Sequence, residues 1–433
     1  MDKGEDTHKK AKRELQKRLD KLNGKLNEYL GFAYYEIDKK MQQKEYAEWL
    51  ESHQPFHWIS EFYEIINGKG GFDVVIGNPP YVVYSDTKFH YNIMNYKSID
   101  CKDLYGFVIE RSYSLNCKNG RNGMIIPISI ISTDGFRNLR KLMVDCSSHL
   151  YFSSYAMRPG KLFDGVDKHL TIFLACIGNQ SALYSSKYYR WKSDARNELL
   201  DSMSYVEINN SILHNSSIPK ISTLIESSIL SKLKLNSSID HCLTGAGNHN
   251  GYHTRKLRYF VQFLDCVPKI FEENGCLRVT SELKTLKFPS ETKRFIGIAV
   301  YLSDIFFWYY IDYSDCRNVN KREVYSFPFS MRALSLESSN NLYKLGNSLL
   351  DNLQENSYYK TAAYKKYGVL KMQTFQPRKS KPIIDQIDTV LAQHYNFTEE
   401  ELDFIINYDI KYRMGKELDS YIEGTLNKKS DGN

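Results

Sequence analysis

The sequence predicts an α/β protein that begins with part of a doubly wound sheet and continues into a mixed α+β domain and a helical carboxyl terminus. Val74, Val75 and Ile76 form a continuous β-branched run, which is typical of a strand buried on both faces of a parallel sheet. Apolar strand and helix patterns then alternate, which indicates β-α-β units. Beyond Gly178 the composition turns to serine, asparagine and lysine, so we expect a domain boundary near residues 185–215.

Composition limits the class of protein. A chain of 433 residues can hold two or three domains with a sizeable core. The formal net charge of +7 is compatible with binding a phosphate backbone but does not establish it. No segment has the apolar length of a membrane span and the charged amino terminus is no signal peptide, so we expect a cytoplasmic protein without membrane contact. Eight scattered cysteines without Cys-x-x-Cys predict neither disulfides nor a zinc site, and we expect no metal.

The elements follow in order along the chain. Residues 1–50 form a lysine-rich helical segment with one leucine seam, which we expect to pack on a domain or on another chain. A helix is predicted from Leu104, followed by a strand at residues 123–127 and a helix at residues 135–146. Two further strands are predicted at residues 150–155 and 169–177. The leucine seam consists of Leu15, Leu19, Leu22, Leu26 and Leu30.

The strongest signal is the strand that ends in Asn78, Pro79, Pro80 and Tyr81. Proline has a fixed φ and no N–H, so the two prolines end the strand in a rigid loop. Such a loop lies at the carboxyl end of a strand, where open α/β sheets bind ligands. A plain proline turn is the alternative interpretation.

This loop suits chemistry on an amino group of a purine base. That nitrogen is a poor nucleophile because its lone pair is delocalised into the ring. If the side-chain oxygen of Asn78 and the carbonyl of Pro79 each accept one amino hydrogen, the nitrogen becomes more pyramidal and its lone pair is freed, while Tyr81 stacks on the base. A base reaches such a pocket only when it is flipped out of a duplex, which implies a nucleic-acid partner.

The tetrad resembles the catalytic motif of adenine-specific DNA methyltransferases. Residues 56–66, Asp103-Leu104-Tyr105 and the strand at residues 123–127 resemble segments of the large, Type IIG-like restriction-modification methylases. The resemblance implies a partial Rossmann-like methyltransferase sheet, S-adenosylmethionine as cofactor and double-stranded DNA as substrate. It also implies that His57 is structural rather than catalytic. Residues 162–166 resemble a later motif of the family, and Phe163 is therefore the candidate that clamps the flipped base.

The second half of the chain resembles a target-recognition domain. The Gly-rich stretch at residues 244–256 interleaves basic residues with Tyr and His, which suits phosphate or groove contacts, although an ordinary loop is the alternative. Residues 317–323 resemble the closing segment of the family's recognition domain, and residues 381–414 resemble its carboxyl terminus, where Thr398 and Glu401 predict a capping box. The predicted DNA-binding residues are Arg255, Lys256, Arg258, Lys321 and Arg322.

The predicted organisation is therefore a partner-docking helical segment (1–50), the catalytic half of a methyltransferase domain (51–200), a target-recognition domain (201–380) and a helical terminus (381–433). No glycine-rich strand-turn-helix for the cofactor precedes the loop, so we expect a second chain to supply the cofactor-binding half. A catalytically silent DNA-binding or specificity subunit is the alternative. A nuclease built on Asp265, Glu282 and Lys284 is a much weaker one.

Overall fold

The computed structural model describes residues 3–35, 43–86, 93–179, 181–239, 243, 247–256, 259–280 and 282–423. The chain divides into two compact units. Unit 1 consists of Met1–Ile130, Gly135–Phe152 and Thr171–Leu183, and unit 2 consists of Ile131–Asp134, Ser153–Leu170 and Tyr184–Asn433.

Unit 1 begins with three helices, α1 (Lys3–Tyr35), α2 (Gln43–His53) and α3 (Trp58–Glu61). Polar side chains join α1 to the segment around α3. Nδ2 of Asn23 donates to Oε1 of Glu61 over 2.9 Å, and Nε2 of His57 lies 2.6 Å from Oδ1 of Asn27. His57 thus has a structural contact in unit 1. The leucine seam of α1 remains half-exposed or exposed along its length, with Leu15 66% exposed.

One six-stranded sheet has the strand order β1-β2-β4-β3-β5-β6. β1 pairs with β2 in parallel, with Ile76 opposite Gly123, whereas β5 pairs with β6 antiparallel, so the sheet is mixed. The predicted alternation of strands and helices is present. β2 and β3 begin earlier than predicted, whereas β4 matches its predicted range to within one residue. Its strands and the helices between them are β1 (Phe72–Gly77), α4 (Leu104–Leu115), β2 (Asn116–Pro127), α5 (Ser129–Ser132), α6 (Arg137–Asp145), β3 (Ser147–Tyr155), β4 (Leu170–Ile177), β5 (Ala182–Tyr189) and β6 (Val206–Glu207).

β1 is not buried on both faces, contrary to the expectation from its β-branched run. It is the edge strand of the sheet, and Val74 and Ile76 on one of its faces are 57% and 78% exposed. A run of β-branched residues has the same sequence pattern whether its faces are covered by the same chain or by another one. The pattern therefore could not predict that one face of β1 is exposed in this chain. Among the described residues, no strand pairs with the outer edge of β1, and one of its faces is apolar and exposed.

Unit 2 contains two small antiparallel sheets and most of the remaining helices. One sheet has the order β10-β7-β8 and the other has the order β11-β12-β9. Its elements are α7 (Leu224–Leu233), β7 (His249–Thr254), β8 (Phe263–Leu264), β9 (Ile270–Glu272), β10 (Leu283–Phe288), α8 (Glu291–Leu302), α9 (Asp304–Tyr313), α10 (Lys321–Tyr325), α11 (Leu336–Glu355), β11 (Tyr358–Tyr364), β12 (Gly368–Thr374), α12 (Lys381–Tyr395), α13 (Glu399–Asn407) and α14 (Ile410–Met414).

Helices α8 and α9 form the core of unit 2. The densely apolar and aromatic run from Phe295 to Asp312 predicts a core segment. Every residue in this run is buried, which confirms that prediction. Among the described residues no single helix is long and apolar enough to cross a membrane, and α8 with α9, bent by 61°, reaches that length and composition only as a pair. The capping box of α13, in which Thr398 and Glu401 bond each other's backbone N–H, is also confirmed.

A buried ionic cluster holds α9, α12 and α14 together. The side chains of Asp304 and Lys381 are fully buried, with Oδ2 and Nζ 2.9 Å apart, and Arg413 donates to the same carboxylate. Asp388 accepts hydrogen bonds from the backbone N–H groups of Asp304 and Ile305, at the amino-terminal end of α9. The cluster neutralises charges that would be costly to bury singly.

Candidate active site

The Asn78–Tyr81 loop follows the carboxyl end of β1. The residues just after the loop are bonded to the beginning of α4. Val83 forms an antiparallel bridge with Asp103, and the N–H of Leu104 donates to the carbonyl of Val82 over 2.9 Å. Asn78 is exposed, whereas Pro79 is buried. The loop is thus anchored at both ends while its amide side chain remains accessible.

Tyr81 connects the loop to the neighbouring strand. Its hydroxyl lies 2.7 Å from Oδ1 of Asn78 and 2.8 Å from the carbonyl oxygen of Ile125 on β2. Burial raises the pKa of Tyr81 to about 12, so the hydroxyl keeps its proton at neutral pH and can donate. The hydroxyl therefore holds the Asn78 side chain in a defined orientation.

A second layer of aromatic residues supports Tyr81. The Tyr81 ring meets the buried Tyr105 ring edge to face, with centroids 6.4 Å apart. Tyr105 in turn stacks on Phe136 and its hydroxyl bonds Oγ of Ser129 over 2.7 Å. Stacked and hydrogen-bonded rings have few alternative rotamers, so this layer restricts the position of Tyr81. The sequence indicated Tyr105 only as part of a motif and gave no sign of this contact.

A cavity of about 1000 Å³ within unit 1 opens beside the loop. β1 and the loop form one wall and α4 forms a second. Side chains from α1, α2 and α3, from β2 and from the segment before α4 (Ile93 and Tyr96) complete the lining. The side chains that give it its apolar character include Trp49, Trp58, Val75, Phe107 and Met124. A space of this size bounded by aromatic residues could receive a planar ring next to Asn78.

The lining of this cavity does not make a complete cofactor site. S-adenosylmethionine has ribose hydroxyls and an ammonium group, which require acceptors such as carboxylates. None of the residues that line the cavity is Asp or Glu, and no strand precedes Phe72 among the described residues of unit 1. The residues that line the cavity therefore do not fit S-adenosylmethionine, the methyl donor, by themselves.

Two of the predicted basic segments lie side by side in unit 2. Lys256 bridges Asn318, and the N–H of Val319 donates to the carbonyl of Arg255 over 2.7 Å. Arg255, Lys256 and Lys321 are exposed, as is Arg317, which the sequence interpretation left out. Arg258 lies outside the described residues. DNA binding by these side chains stays a prediction.

Arg322 has a different environment from its basic neighbours. Its side chain is 18% exposed and donates to Glu323, to Asp134, and to the carbonyls of Ser132 and Tyr313. These contacts hold segments of unit 2 together, so the guanidinium has a structural role whether or not it contacts a ligand.

Phe163 belongs to unit 2 and lies in the loop between β3 and β4, where it is half-buried. The catalytic loop belongs to unit 1, and the role of Phe163 as a base clamp stays a prediction.

One cluster of carboxylates could in principle attract a cation. Asp304, Asp385 and Asp388 offer oxygen atoms within 4.8 Å of one another. Lys381 and Arg413 already occupy this cluster and compensate its charge. Within the described ranges the seven cysteines are free thiols, of which Cys101 and Cys316 are buried.

An apolar strip on the sheet was not recognised from the sequence. Gly123 on β2 lies between Ile76 on β1 and Leu174 on β4, and a Cβ at Gly123 would come within 2.9 Å of Leu174 and 3.9 Å of Ile76. Leu174 is 53% exposed, and with Val74 and Ile76 it makes a continuous uncovered patch. The available signal was that Val74 and Ile76, at positions i and i+2 of the strand, lie on the same face. Because Val75 between them is also apolar, the sequence shows a continuous run instead of an alternation.

The amino-terminal part of the chain is similar to known proteins. Residues 3–155 match the family described as Eco57I restriction-modification methylase. A segment of 129 residues is 33% identical to “Putative type II restriction enzyme and methyltransferase RM.MjaORFECS2P” of Methanocaldococcus jannaschii. That alignment covers 29% of this chain and 11% of the relative. The two matches support a restriction-modification methylase family for this part of the chain.

Solved restriction-modification enzymes show weaker likeness. A nuclease-deletion mutant of the Type ISP enzyme LlaGI, in complex with a DNA substrate mimic, has a TM-score of 0.38 at 9% identity, covering 75% of this chain and 49% of that chain. The type IIG restriction endonuclease BpuSI has a TM-score of 0.27 at 9% identity, covering 77% and 54% of the two chains. The chain thus spans about half the length of these enzymes.

Proposed function

We propose that this chain carries the catalytic loop and the target-recognition part of a site-specific, adenine-specific DNA methyltransferase of a restriction-modification or phage-defence system. The observation that carries the proposal is the accessible Asn78 side chain, oriented by Tyr81 at the carboxyl end of a sheet strand. The family match of residues 3–155 supports it independently.

The loop residues act on the target amino group. Oδ1 of Asn78 and the carbonyl of Pro79 accept its two hydrogens, which localises the nitrogen lone pair for attack. Tyr81 presents its ring to the flipped base and its hydroxyl to Asn78. Methylases of this family generally use S-adenosylmethionine, which supplies the methyl group when bound. Because a base inside a duplex cannot reach this loop, the reaction requires base flipping, with Phe163 as the proposed clamp.

We propose that a second chain supplies the cofactor-binding half. Three observations favour this arrangement. The lining of the cavity lacks the carboxylates that the donor requires. In the part of the chain that the structure describes, β1 has no partner strand on its outer edge, and such an edge needs a strand or another cover. The strip of Val74, Ile76 and Leu174 is an apolar face without a cover among the described residues of unit 1.

The decisive experiment replaces Asn78 by Ala in the chain assembled with its native partner, obtained by pull-down. We expect methyl transfer to DNA to be lost while DNA binding remains near normal, because Asn78 acts on the reacting group and not on the DNA backbone. Asn347→Ala on the exposed side of α11 is the matched control and should methylate normally. If the Asn78→Ala complex still methylates DNA, the catalytic role proposed for the loop is wrong.

A catalytically silent DNA-binding or specificity subunit is the second candidate. The incomplete lining of the cavity favours it, because the described residues do not hold a methyl donor by themselves. The two candidates differ in whether the native partner brings the cofactor site. A complex that binds DNA specifically but transfers no methyl group would establish the silent subunit.

A further inference from the structure

A hairpin of unit 2 is rich in lysine and tyrosine. β11 and β12 pair antiparallel along their whole length, from Tyr358 opposite Thr374 to Tyr364 opposite Gly368. We name residues 358–374 the ribbon. β12 also pairs with β9, so β11 is the outer strand of its sheet, and six of its seven residues are exposed. No strand of the described ranges pairs with the outer edge of β11, so the ribbon presents this edge to solvent there.

The charge of the chain is concentrated at this place. Residues 356–380 contain six basic residues and no Asp or Glu, while the formal net charge of the whole chain is +7. The nearest acids along the sheet belong to β9 and the turn after it, where Arg278 pairs with Glu272 at 2.9 Å and Glu273 stands near Gly368. Within the described part of unit 2, no ion pair joins the ribbon lysines to a carboxylate. The six basic residues are Lys360, Lys365, Lys366, Lys371, Arg378 and Lys379.

The same segment exposes aromatic rings. Four tyrosines of the ribbon are between 42% and 46% exposed, so several large rings are accessible on one short segment. Cations lie over two of them, since Nζ of Lys371 is 5.2 Å from the centre of the Tyr359 ring and the guanidinium of Arg278 is 3.9 Å from that of Tyr367. The exposed tyrosines are Tyr358, Tyr359, Tyr364 and Tyr367.

A simpler explanation accounts for part of this pattern. Lysine on an outer strand discourages pairing with other chains, which suits Lys360. It does not explain Lys371 on the inner strand β12, nor the two lysines of the turn. Exposed tyrosines on the same strand would favour contact with other chains and so counteract this effect of lysine. The combination of exposed rings with cations that have no carboxylate partner among the described residues instead suits a polyanion with flat hydrophobic surfaces.

We propose that the ribbon is an additional contact with duplex DNA, inserted into a groove with its lysines on phosphates and its tyrosines against sugars and base edges. The inference rests on the proposed function insofar as the nucleic acid is double-stranded DNA. β9 pairs only with Leu370 to Met372 of β12, so at its turn, from Ala363 to Val369, the ribbon continues as two strands alone. The major groove is about 12 Å wide and admits a two-stranded β-ribbon. Lysine supplies affinity through phosphates, and the rings add apolar contact.

The test measures the affinity of the full chain for a fluorescent duplex over a range of salt concentrations. Replacing Lys360, Lys365, Lys366 and Lys371 together by Gln should lower the slope of log K against log salt by about 0.9 for each phosphate that is no longer neutralised. Replacing the same four by Arg should preserve the slope. The control removes an equal charge from exposed positions of α1, namely Lys10, Lys12, Lys17 and Lys21, and should leave the slope nearly unchanged.

The tyrosines provide a second measurement. Replacing Tyr358 and Tyr364 by Ala should weaken duplex binding several-fold without changing the salt slope, because the charge of the ribbon stays the same. A wild-type slope for the four-Gln variant, in a chain that binds duplex DNA, would overturn the ribbon proposal and leave the proposed function standing. So would ribbon-dependent binding that prefers a single strand of the same sequence. If the wild-type chain and its complex do not bind duplex DNA, the proposed function and the ribbon proposal fail together.

Discussion

The hydroxyl of Tyr81 lies 2.7 Å from Oδ1 of Asn78, so the two polar members of the Asn-Pro-Pro-Tyr loop are hydrogen-bonded to each other. The amide oxygen has two lone pairs and can still accept from a second donor while Tyr81 is bound. The hydroxyl has a single hydrogen, for which Oδ1 of Asn78 and the carbonyl oxygen of Ile125 are both acceptors within reach, so the orientation of Asn78 is tied to the strand next to β1. Tyr81 thus has a positioning role through its hydroxyl in addition to the stacking role of its ring.

Tyr81→Phe separates these two roles. It keeps the ring and removes a hydrogen bond, which is typically a loss of about 1 kcal/mol. We expect methyl transfer by the assembled complex to fall several-fold, with DNA binding unchanged. Tyr81→Ala, which also removes stacking worth about 1 to 3 kcal/mol, should in addition weaken capture of the flipped base. Equal rates for Tyr81→Phe and wild type would show that Asn78 needs no positioning by the hydroxyl.

The sequence predicted those features that depend on neighbours in the chain. The capping box of Thr398 and Glu401 and the core segment from Phe295 to Asp312 were predicted because residues three positions apart, or one continuous apolar run, determine them. The exposure of the apolar face of β1 was not predicted, because the β-branched sequence pattern is the same for a strand whose face is covered and for one whose face is exposed. The bond from Tyr81 to Ile125 joins residues 44 positions apart and left no local signal.

The buried ionic cluster of unit 2 should dominate its stability. Asp304→Asn leaves Lys381 and Arg413 buried with one charge fewer to compensate them, and breaking a buried pair costs about 3 to 5 kcal/mol. Denaturant unfolding should show a loss of this size. Lys141→Gln breaks a pair in which both side chains are more than half exposed, so its loss should be below about 1 kcal/mol. Similar losses for the two variants would contradict the importance of the cluster.

Three buried histidines predict a loss of stability in acid. Burial lowers the pKa of His169, His214 and His253 from 6.5 to about 4. Between these values the unfolded chain binds protons that the folded chain does not, so stability is complete above pH 6.5 and falls as the pH decreases toward 4. The loss approaches about 3 kcal/mol for each histidine, because one pKa unit corresponds to about 1.4 kcal/mol.

His253 allows the cleanest test of this pH dependence. Its ring stacks on Phe263 with centroids 5.0 Å apart, so His253→Phe retains an aromatic ring and removes the titrating group. We expect the melting temperature of this variant to depend less on pH than that of the wild type between pH 4 and 6.5. His8→Phe, at an exposed position of α1, is the control and should follow the wild type. An unchanged pH dependence for His253→Phe would exclude His253 as a contributor.

The open side of β1 makes a prediction about assembly. Val74, Ile76 and Leu174 are exposed on one face of the sheet, and β1 has no partner strand on its outer edge among the described residues. Apolar faces and free strand edges of this kind self-associate unless they are covered. We expect the isolated chain to be poorly soluble or self-associated and to bind no S-adenosylmethionine measurably by calorimetry. Co-expression with the native partner should restore both solubility and cofactor binding.

Ile76→Lys tests which surface the partner covers. Ile76 is 78% exposed, so a lysine there fits the isolated chain and should reduce its self-association in sedimentation experiments. In the complex the same charge would be buried against the partner, so pull-down should recover much less partner and methyl transfer should fall with it. Leu224→Lys, at a site 79% exposed on α7 of unit 2, is the matched control and should retain the partner. Normal assembly of Ile76→Lys would mean that the partner leaves this face uncovered. An isolated wild-type chain that is monomeric and binds the cofactor would mean that no second chain is needed.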